Sequence, residues 1–573
     1  MSRSNTIHLL TPRGKELGDI PWSTYPRPQM VRDSFLCLNG LWDFAASEKR
    51  PEFFSQKILV PFAPQSLLSG ICRTFSGKET LFYSRNFALP EGFKKDKILL
   101  HIGACDQECK VFVNGNFAGE HKGGYNSFCV DITSHVISGE NHLLIEAKDD
   151  PRSTLYPYGK QCEKRGGMWY TPVAGIWQSV WLESVPESYI KSLKITTKGS
   201  RVSIRFFGVE SGEIIVETPD GILQNSIENS RADFQIPNPQ MWSPESPYLY
   251  RFKAVCGGDN ISSYFALRDL EISNVGGVPR LLLNGKPYYF HGLLDQGYFS
   301  DGIYTPASPE CYSDDILAMK NMGFNMLRKH IKIEPEQFYY DCDRLGMIVF
   351  QDMVNNSDYS FLRDTALPTV GLKKLNDKKL HKNPAERAEF ERSMNATVEQ
   401  LFNHPCVCQW TIFNEGWGQF CSTEMYYKLK AIDPTRFIDS ASGWFSGGES
   451  DFESPHIYFK PIKITPSSRP VFLSEFGGYS CKINGHCFNT EKEFGYKHFD
   501  TPEAFADGLE ALYTQQVIPA LEKGLCGSVY TQVSDVEDET NGLLTYDRAV
   551  QKIPTERMAN ISAKLIEKFH SVI

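Results

Sequence analysis

Two glutamates stand at the ends of apolar runs, sixty positions apart. Glu415 closes VCQWTIFNE (407–415) and precedes Gly416-Trp417-Gly418; Glu475 closes PVFLSE (470–475) and precedes Phe476-Gly477-Gly478. Val407, Trp410, Ile412 and Phe413, just after the turn signal His404-Pro405, read as a buried strand, and Val471, Phe472 and Leu473 read the same way. A carboxylate buried without partners costs several kcal/mol, roughly, so both acids are expected at a mouth that supplies partners. Chemistry that needs two carboxyl groups at one bond is glycoside hydrolysis. One gives a proton to the leaving oxygen; the other attacks the sugar or activates water.

The elements that must hold them lie after Gly276-Gly277, where apolar strands begin to alternate with helical segments. Eight candidates follow: 287–295, 324–330, 347–353, 407–415, 436–442, 454–459, 470–476 and 527–532. Eight strand–helix units over about 300 residues predict a TIM barrel, here assigned to 276–573. Ser308-Pro309 and Thr501-Pro502 read as helix caps followed by proline. Stretches 354–383 and 477–500 become loops on the active face, and the lysine-rich 373–382 a solvated loop. Polar residues at strand exits, Asp295 with Gln296 and Asp352, then face the pocket, while His330 and His456 are either substrate contacts or satisfied core histidines. Trp417 and Trp444 either stack on a sugar or pack beneath loops.

Ahead of the barrel the chain is β-rich. Residues 1–185 carry short strands between turns, among them 36–46, 81–89, 110–119 and 142–149, with an Asn114-Gly115 hairpin signal. A jelly-roll sandwich accommodates them. Residues 186–275, with about seven strands, suit an immunoglobulin-like sandwich. At 573 residues the chain is too long for one core, in keeping with three domains. A net charge of −9 without a basic stripe argues against nucleic acid as a partner. The fifteen cysteines show no zinc-type spacing, so no metal and no cofactor is expected. The N-terminus shows no apolar leader segment and no run is long enough to span a membrane, so a cytoplasmic location is the default expectation.

The chain resembles glycoside hydrolase family 2, the group of β-galactosidases, β-glucuronidases and β-mannosidases. The resemblance rests on LNGLWDF (38–44), VFVNGNFAGEHKGGYNSF (111–128), GIWQSVWLE (175–183), WSPESPYLY (242–250), HGLLDQGYF (291–299), GFNMLRKHIKIEP (323–335), WTIFNE (410–415), SPHIY (454–458) and LSEFGG (473–478), in family order. It implies a sugar-binding-like jelly roll, an immunoglobulin-like domain and a TIM barrel. It also implies Glu415 as general acid/base, Glu475 as nucleophile, Asn414 on the sugar 2-hydroxyl, and Arg328 and Tyr458 beside the nucleophile. The remaining candidates for substrate contact are Asp295, His330, Asp352, His456, Trp444 and Gln532. Configuration should be retained, with the two carboxyl groups about 5–5.5 Å apart.

The chain departs from the family in two places. The Asn-x-Lys element with which β-glucuronidases grip the substrate carboxylate is replaced by Asn541-Gly542-Leu543, and the strand-8 tryptophan by Tyr530-Thr531-Gln532. Asp535, Glu537, Asp538 and Glu539 would repel a uronate if they faced the pocket. The sequence therefore favours an exo-β-glycosidase of β-galactosidase type acting on a carbohydrate. A uronidase gripping its acid through Arg548 or the 373–382 lysines is the alternative, and a non-catalytic sugar-binding protein the reading from another class. The chain stops soon after the barrel, so the extra C-terminal domains and metal sites of large β-galactosidases are not expected. Homo-oligomers, common in the family, are expected by analogy alone.

Overall fold

The computed structural model of the chain describes residues 6–369, 371–372, 376–445 and 447–573. The part that positions the two glutamates is an eight-stranded parallel sheet. Its strands are β1 (Phe290–Asp295), β2 (Met326–Lys329), β3 (Ile348–Asp352), β4 (Val407–Asn414), β5 (Phe437–Ser442), β6 (His456–Ile457), β7 (Val471–Gly477) and β8 (Leu525–Thr531). They pair in the order β5-β4-β3-β2-β1-β8-β7-β6. Except at Ile457 every strand residue is buried, because helices cover one face and the barrel interior the other. That is why these strands read as continuous apolar runs.

The sheet is nearly closed, with no ladder between β5 and β6. Side chains and one backbone bond bridge the gap. Ser442 Oγ lies 2.9 Å from His456 Nε2 and 2.9 Å from Ser474 Oγ, and Gly443 N–H donates to the Ser454 carbonyl at 2.9 Å.

Six long helices pack outside, at Glu310–Asn321, Glu336–Leu345, Pro384–Leu401, Ser422–Ile432, Pro502–Leu512 and Thr555–Ser571. The expected regular alternation fails at two places: among the described residues the β5–β6 and β6–β7 connections hold no helix. Both are rich in breakers, Gly443, Gly447, Gly448 and Pro455 in the first, Pro461, Pro466 and Pro470 in the second. Thr501 caps its helix as expected, accepting from Ala504 N–H at 3.2 Å. Ser308 does not cap. Pro309 holds the cap position in a helical conformation (φ −56°, ψ −34°), so the Ser308 side chain falls outside it.

Two antiparallel sandwiches precede the barrel. The first packs a four-stranded sheet, with Lys97–Ile102 and Val180–Val185 among its strands, on a six-stranded sheet that includes Gly40–Ser47 and Thr80–Ala88. Its core holds Trp42, Phe44, Tyr83, Leu100 and Ile145. Asn114 and Gly115 turn the expected hairpin, both at positive φ (49° and 80°). The second sandwich sets three strands against four around Ile204, Ile214 and Phe252. Gly276-Gly277 form the turn of a further hairpin, Leu270–Val275 with Val278–Leu283, that leads into β1.

Buried charges join the sandwiches. Arg32 reaches Asp259 at 2.8 Å and Glu183 at 3.1 Å, and Arg27 reaches Glu183 at 2.9 Å. The first sandwich also sends a loop across the barrel mouth. There Tyr158 N–H donates to the Asn355 carbonyl (3.0 Å), its hydroxyl donates to the Ser357 carbonyl (2.8 Å), and Trp169 packs on Trp417 (5.4 Å between ring centroids).

Candidate active site

Glu475 lies on β7 in register with His456 on β6 and is only 4% exposed. Three donors surround its carboxylate. Arg328, from β2, donates through Nη1 to Oε1 at 3.0 Å; Tyr458 donates its hydroxyl to Oε2; His456 Nδ1 stands 3.5 Å from Oε2. Burial works against the charged form, but His456, Arg328, His330 and the Tyr458 hydroxyl overcome it and hold Glu475 down to about 2. Glu475 is therefore a carboxylate at neutral pH. Burial first, and then the carboxylates Glu475 and Glu415, hold Tyr458 well above the usual phenol range, so it stays a donor.

Arg328 organises this side of the site. Its remaining nitrogens reach Asp352 Oδ1 (Nε, 3.0 Å) and Asn414 Oδ1 (Nη2, 2.9 Å), and Nη1 also reaches the Ser474 carbonyl at 3.1 Å. One planar guanidinium thus fixes residues from β3, β4 and β7, which a point-charge lysine could not do. Asp352 passes the order on, with Oδ2 at 2.6 Å from His330 Nδ1.

Glu415 leaves β4 with φ +50°, a left-handed conformation that non-glycine residues adopt at a cost. Its N–H donates to the Ser442 carbonyl at 2.9 Å. The next residue has to be glycine: Gly416 has φ +81°, and a Cβ there would lie 2.4 Å from the Phe445 ring. This turn aims the side chain at His456, whose Nδ1 lies 2.8 Å from Glu415 Oε1. On its other side His456 Nε2 faces Arg328 Nη1 at 3.4 Å. Ser442 Oγ is closer to Nε2, at 2.9 Å, and carboxylate oxygens of both glutamates face Nδ1, which therefore donates toward them. One carboxylate oxygen each of Glu415 and Glu475 and one ring nitrogen of His456 lie within 4.8 Å of one another, so the two acids face each other across one small space.

The structure brings Asn414, Arg328, Tyr458, His330, Asp352 and His456 into this one hydrogen-bonded cluster. Asn414 Nδ2 is buried without a partner among the described residues and is free to donate. Trp444, half-buried, packs edge-on at 5.7 Å from His456. Gln532 donates to Asn541 (2.7 Å) and Glu539 (2.9 Å) and leaves its buried Oε1 unpaired among the described residues. Asp295 is engaged elsewhere, with Oδ2 at 2.6 Å from Lys329 Nζ and Oδ1 accepting from Gly297 N–H. Trp417 is 1% exposed and packs under loops against Trp169 and Tyr359.

Several expectations about a carboxylate grip change. Arg548 is not free, because it pairs with Asp315 at 3.3 Å and lies over the Phe299 ring. Lys378, Lys379 and Lys382 are exposed, while 373–375 lie outside the described residues. Three of the four acids expected to repel a uronate are paired, Asp535 with Lys552 (2.5 Å) and Glu537 and Asp538 with Arg165 (3.5 and 3.3 Å), while Glu539 accepts from Gln532 and has no ion pair among the described residues. Sequence reasoning missed Lys160, Trp169 and Tyr170 of the first sandwich, and Tyr496, which stacks on Tyr458 at 3.9 Å. These reach the site through loops remote in sequence, and no local pattern marks them.

No helix among the described residues is long and apolar enough to cross a membrane. All fifteen cysteines are unpaired.

Two β-sandwiches set before a parallel barrel, with two glutamates converging at the strand ends, define the class of modular barrel glycoside hydrolases. Family models agree across most of the chain. "Glycosyl hydrolases family 2, sugar binding domain" matches 66–186, "Glycosyl hydrolases family 2" matches 188–268, and "Glycosyl hydrolases family 2, TIM barrel domain" matches 277–519. The chain belongs to glycoside hydrolase family 2.

Among relatives, a β-galactosidase of Thermoanaerobacter pseudethanolicus is 25% identical over 58% of this chain, which spans 44% of that protein. A β-glucuronidase of Felis catus is 26% identical over 76% of this chain and 72% of its own length. In fold, the chain is similar to the β-D-glucuronidase from Dictyoglomus thermophilum (TM-score 0.73, 17% identity, 96% of this chain and 99% of that one). It is similar also to the β-galacturonidase from Eisenbergiella tayi bound to galacturonate (TM-score 0.68, 19% identity, 95% and 99%).

Proposed function

We propose that the chain is a retaining exo-β-glycosidase, with Glu475 as nucleophile and Glu415 as acid/base. The observation that carries this reading is the pair of carboxyl groups, with one oxygen of each within 4.8 Å of the other at His456, and with Glu475 held ionised by Arg328 and Tyr458. In the first step a Glu475 oxygen attacks the anomeric carbon. The bond to the aglycone oxygen breaks, and that oxygen takes the proton of Glu415. In the second step Glu415 removes a proton from water, which attacks the same carbon and displaces Glu475. Two inversions leave the configuration unchanged.

Each neighbour has a part in this cycle. Arg328 and Tyr458 keep Glu475 charged and aimed. His456 donates Nδ1–H to Glu415 and leaves the other Glu415 oxygen for the proton. Asn414 Nδ2, held in place through its oxygen by Arg328, is available to the sugar 2-hydroxyl. The first-sandwich loop closes one side of the mouth, which suits a terminal sugar over a mid-chain one.

Two substrate classes follow from the relatives, β-galactosides from one and β-uronides from the others. The missing Asn-x-Lys element supports the first. The second gains support because the acids of 535–538 are neutralised by Lys552 and Arg165. The test of the mechanism is proton NMR of the first product formed from a chromogenic β-glycoside. A β-configured sugar before mutarotation is expected; an α-configured one refutes double displacement.

A further inference from the structure

Among the described residues the buried and half-buried cations around the barrel mouth are engaged, with one exception. Arg328 holds Asp352 and Glu475; Lys329 holds Asp295 and Glu334; Lys332 pairs with Glu334; Arg548 pairs with Asp315; Lys552 pairs with Asp535. Lys160 is 7% exposed, yet among the described residues its ammonium has neither an ion pair nor a hydrogen bond. It lies over aromatic faces, 5.2 Å from the centroid of Trp417 and 5.9 Å from that of Tyr170. The residue is largely covered, but its ammonium is not among the fully enclosed unpartnered polar atoms, so it stays open to a ligand while the ring faces supply part of its attraction.

The ammonium sits at the site. Trp417 is two residues beyond Glu415, and its ring stands 6.5 Å from that of His330. Gly159 packs on the chain just after β2, where a Cβ would lie 3.0 Å from the Ile331 carbonyl. The Lys160 carbonyl accepts from Tyr170 N–H at 2.9 Å, which holds the loop in place. The charge is felt across the pocket: burial first, and then Lys160, keep His330 below the ordinary histidine range. Glu539, raised by burial and lowered by Lys160, is the acid that senses it most directly, but Glu539 is bonded by Gln532 and forms no ion pair with it.

Resting on the retaining-glycosidase reading above, we propose that Lys160 is the specificity-determining cation of the sugar-binding pocket, where its ammonium pairs with the carboxylate of a β-linked uronic acid. A single ammonium matches a singly charged carboxylate. A sugar phosphate would bring nearly two charges to one cation, with Glu539 close by. The cation comes from the first sandwich, so this domain takes part in choosing the substrate.

The test compares chromogenic β-D-glucuronide and β-D-galacturonide with β-D-glucoside and β-D-galactoside. Wild type is expected to prefer a uronide. In Lys160→Met the uronide-to-hexoside ratio of kcat/KM should fall roughly 100-fold, through a raised uronide KM, and Lys160→Arg should keep most of it. A purely structural lysine would lower both substrates together and leave the ratio unmoved, which overturns the proposal. Turnover of the hexosides with none of the uronides overturns it too, while leaving the glycosidase reading intact; turnover of no glycoside removes both. If Lys160→Met does not fold, calorimetry on wild type decides. D-glucuronate or D-galacturonate should bind at least ~10-fold tighter than its neutral sugar and lose that margin in high salt, and equal affinities refute the assignment.

Discussion

Replacing Tyr458 by phenylalanine removes one oxygen from the proposed nucleophile's surroundings and almost nothing else. The ring keeps its stack on Tyr496, 3.9 Å between centroids, so packing survives. What goes is the O–H donated to Glu475 Oε2, together with a 3.0 Å contact to Thr531 Oγ1. Oε2 is then left with His456 Nδ1 at 3.5 Å, a ring proton already closer to Glu415 at 2.8 Å. A hydrogen bond to a buried charge contributes about 1.5–3 kcal/mol, so kcat/KM should fall by roughly 10- to 150-fold. The loss should appear in kcat with KM little changed, because the bond is made to the enzyme's own carboxylate.

The pH profile gives a second readout. As the proposed nucleophile Glu475 must be ionised to attack, and its environment holds it at about 2, so the wild-type acid limb is expected far below neutrality. Losing a donor to the charged form raises this carboxyl toward the ordinary range near 4.5, and the acid limb moves up with it. Stopped-flow or plate assays from pH 3 to 8, with a thermal melt to establish folding, check both. A variant within twofold of wild type and with an unmoved acid limb would refute the role given to the Tyr458–Glu475 bond.

Glu415→Gln and Glu475→Gln should each lose at least ~10³-fold in kcat with melting temperatures near wild type; a protein that only binds sugars would keep its affinity in both and have no turnover to lose. Arg328→Lys keeps a charge but cannot span Asp352, Asn414 and Glu475 at once, so activity should drop about 100-fold or more, and full activity would show that the fork geometry is dispensable. Asp433, bonded by Arg436 and Trp410, is held at about 2 against the pull of burial, so its stabilisation is present above about pH 4 and is lost as pH falls toward 2. Asp433→Asn should therefore lower stability at pH 7 by about 2 kcal/mol with a cost that vanishes near pH 2, and a cost independent of pH would contradict the linkage. Glu183→Gln, which strips the shared carboxylate from Arg27 and Arg32, should destabilise the sandwich junction by about 3–5 kcal/mol; an unchanged calorimetric melt would show the cluster to be idle.

Much of this arrangement was legible in the chain itself. Parallel strands covered on both faces must be apolar throughout, so VCQWTIFN and VFLSEFG announce themselves, and a glutamate ending such a run can only face an opening. The Asn114-Gly115 turn was equally plain, because few residue pairs accept two left-handed conformations.

Other features depended on three-dimensional neighbours. The neutral-sugar expectation counted Asp535, Glu537, Asp538 and Glu539 as repulsive if they faced the pocket; Lys552 and Arg165 pair the first three, which a linear reading does not show, and Glu539 is left without an ion pair among the described residues. Arg548 looked available for the same reason, until Asp315 of an earlier helix occupied it. The sequence left His456 between substrate contact and a core histidine, because its place depends on the 2.8 Å to Glu415 and the register with Glu475 across a seam closed by Ser442.

From sequence alone came the kinds of element, their order and the two acids at their ends, since backbone periodicity and the cost of burying charge act locally. Which charges cancel and which is left over, Lys160 among them, was decided only when loops from separate domains met, because Coulomb energy depends on distance in space and not on distance along the chain.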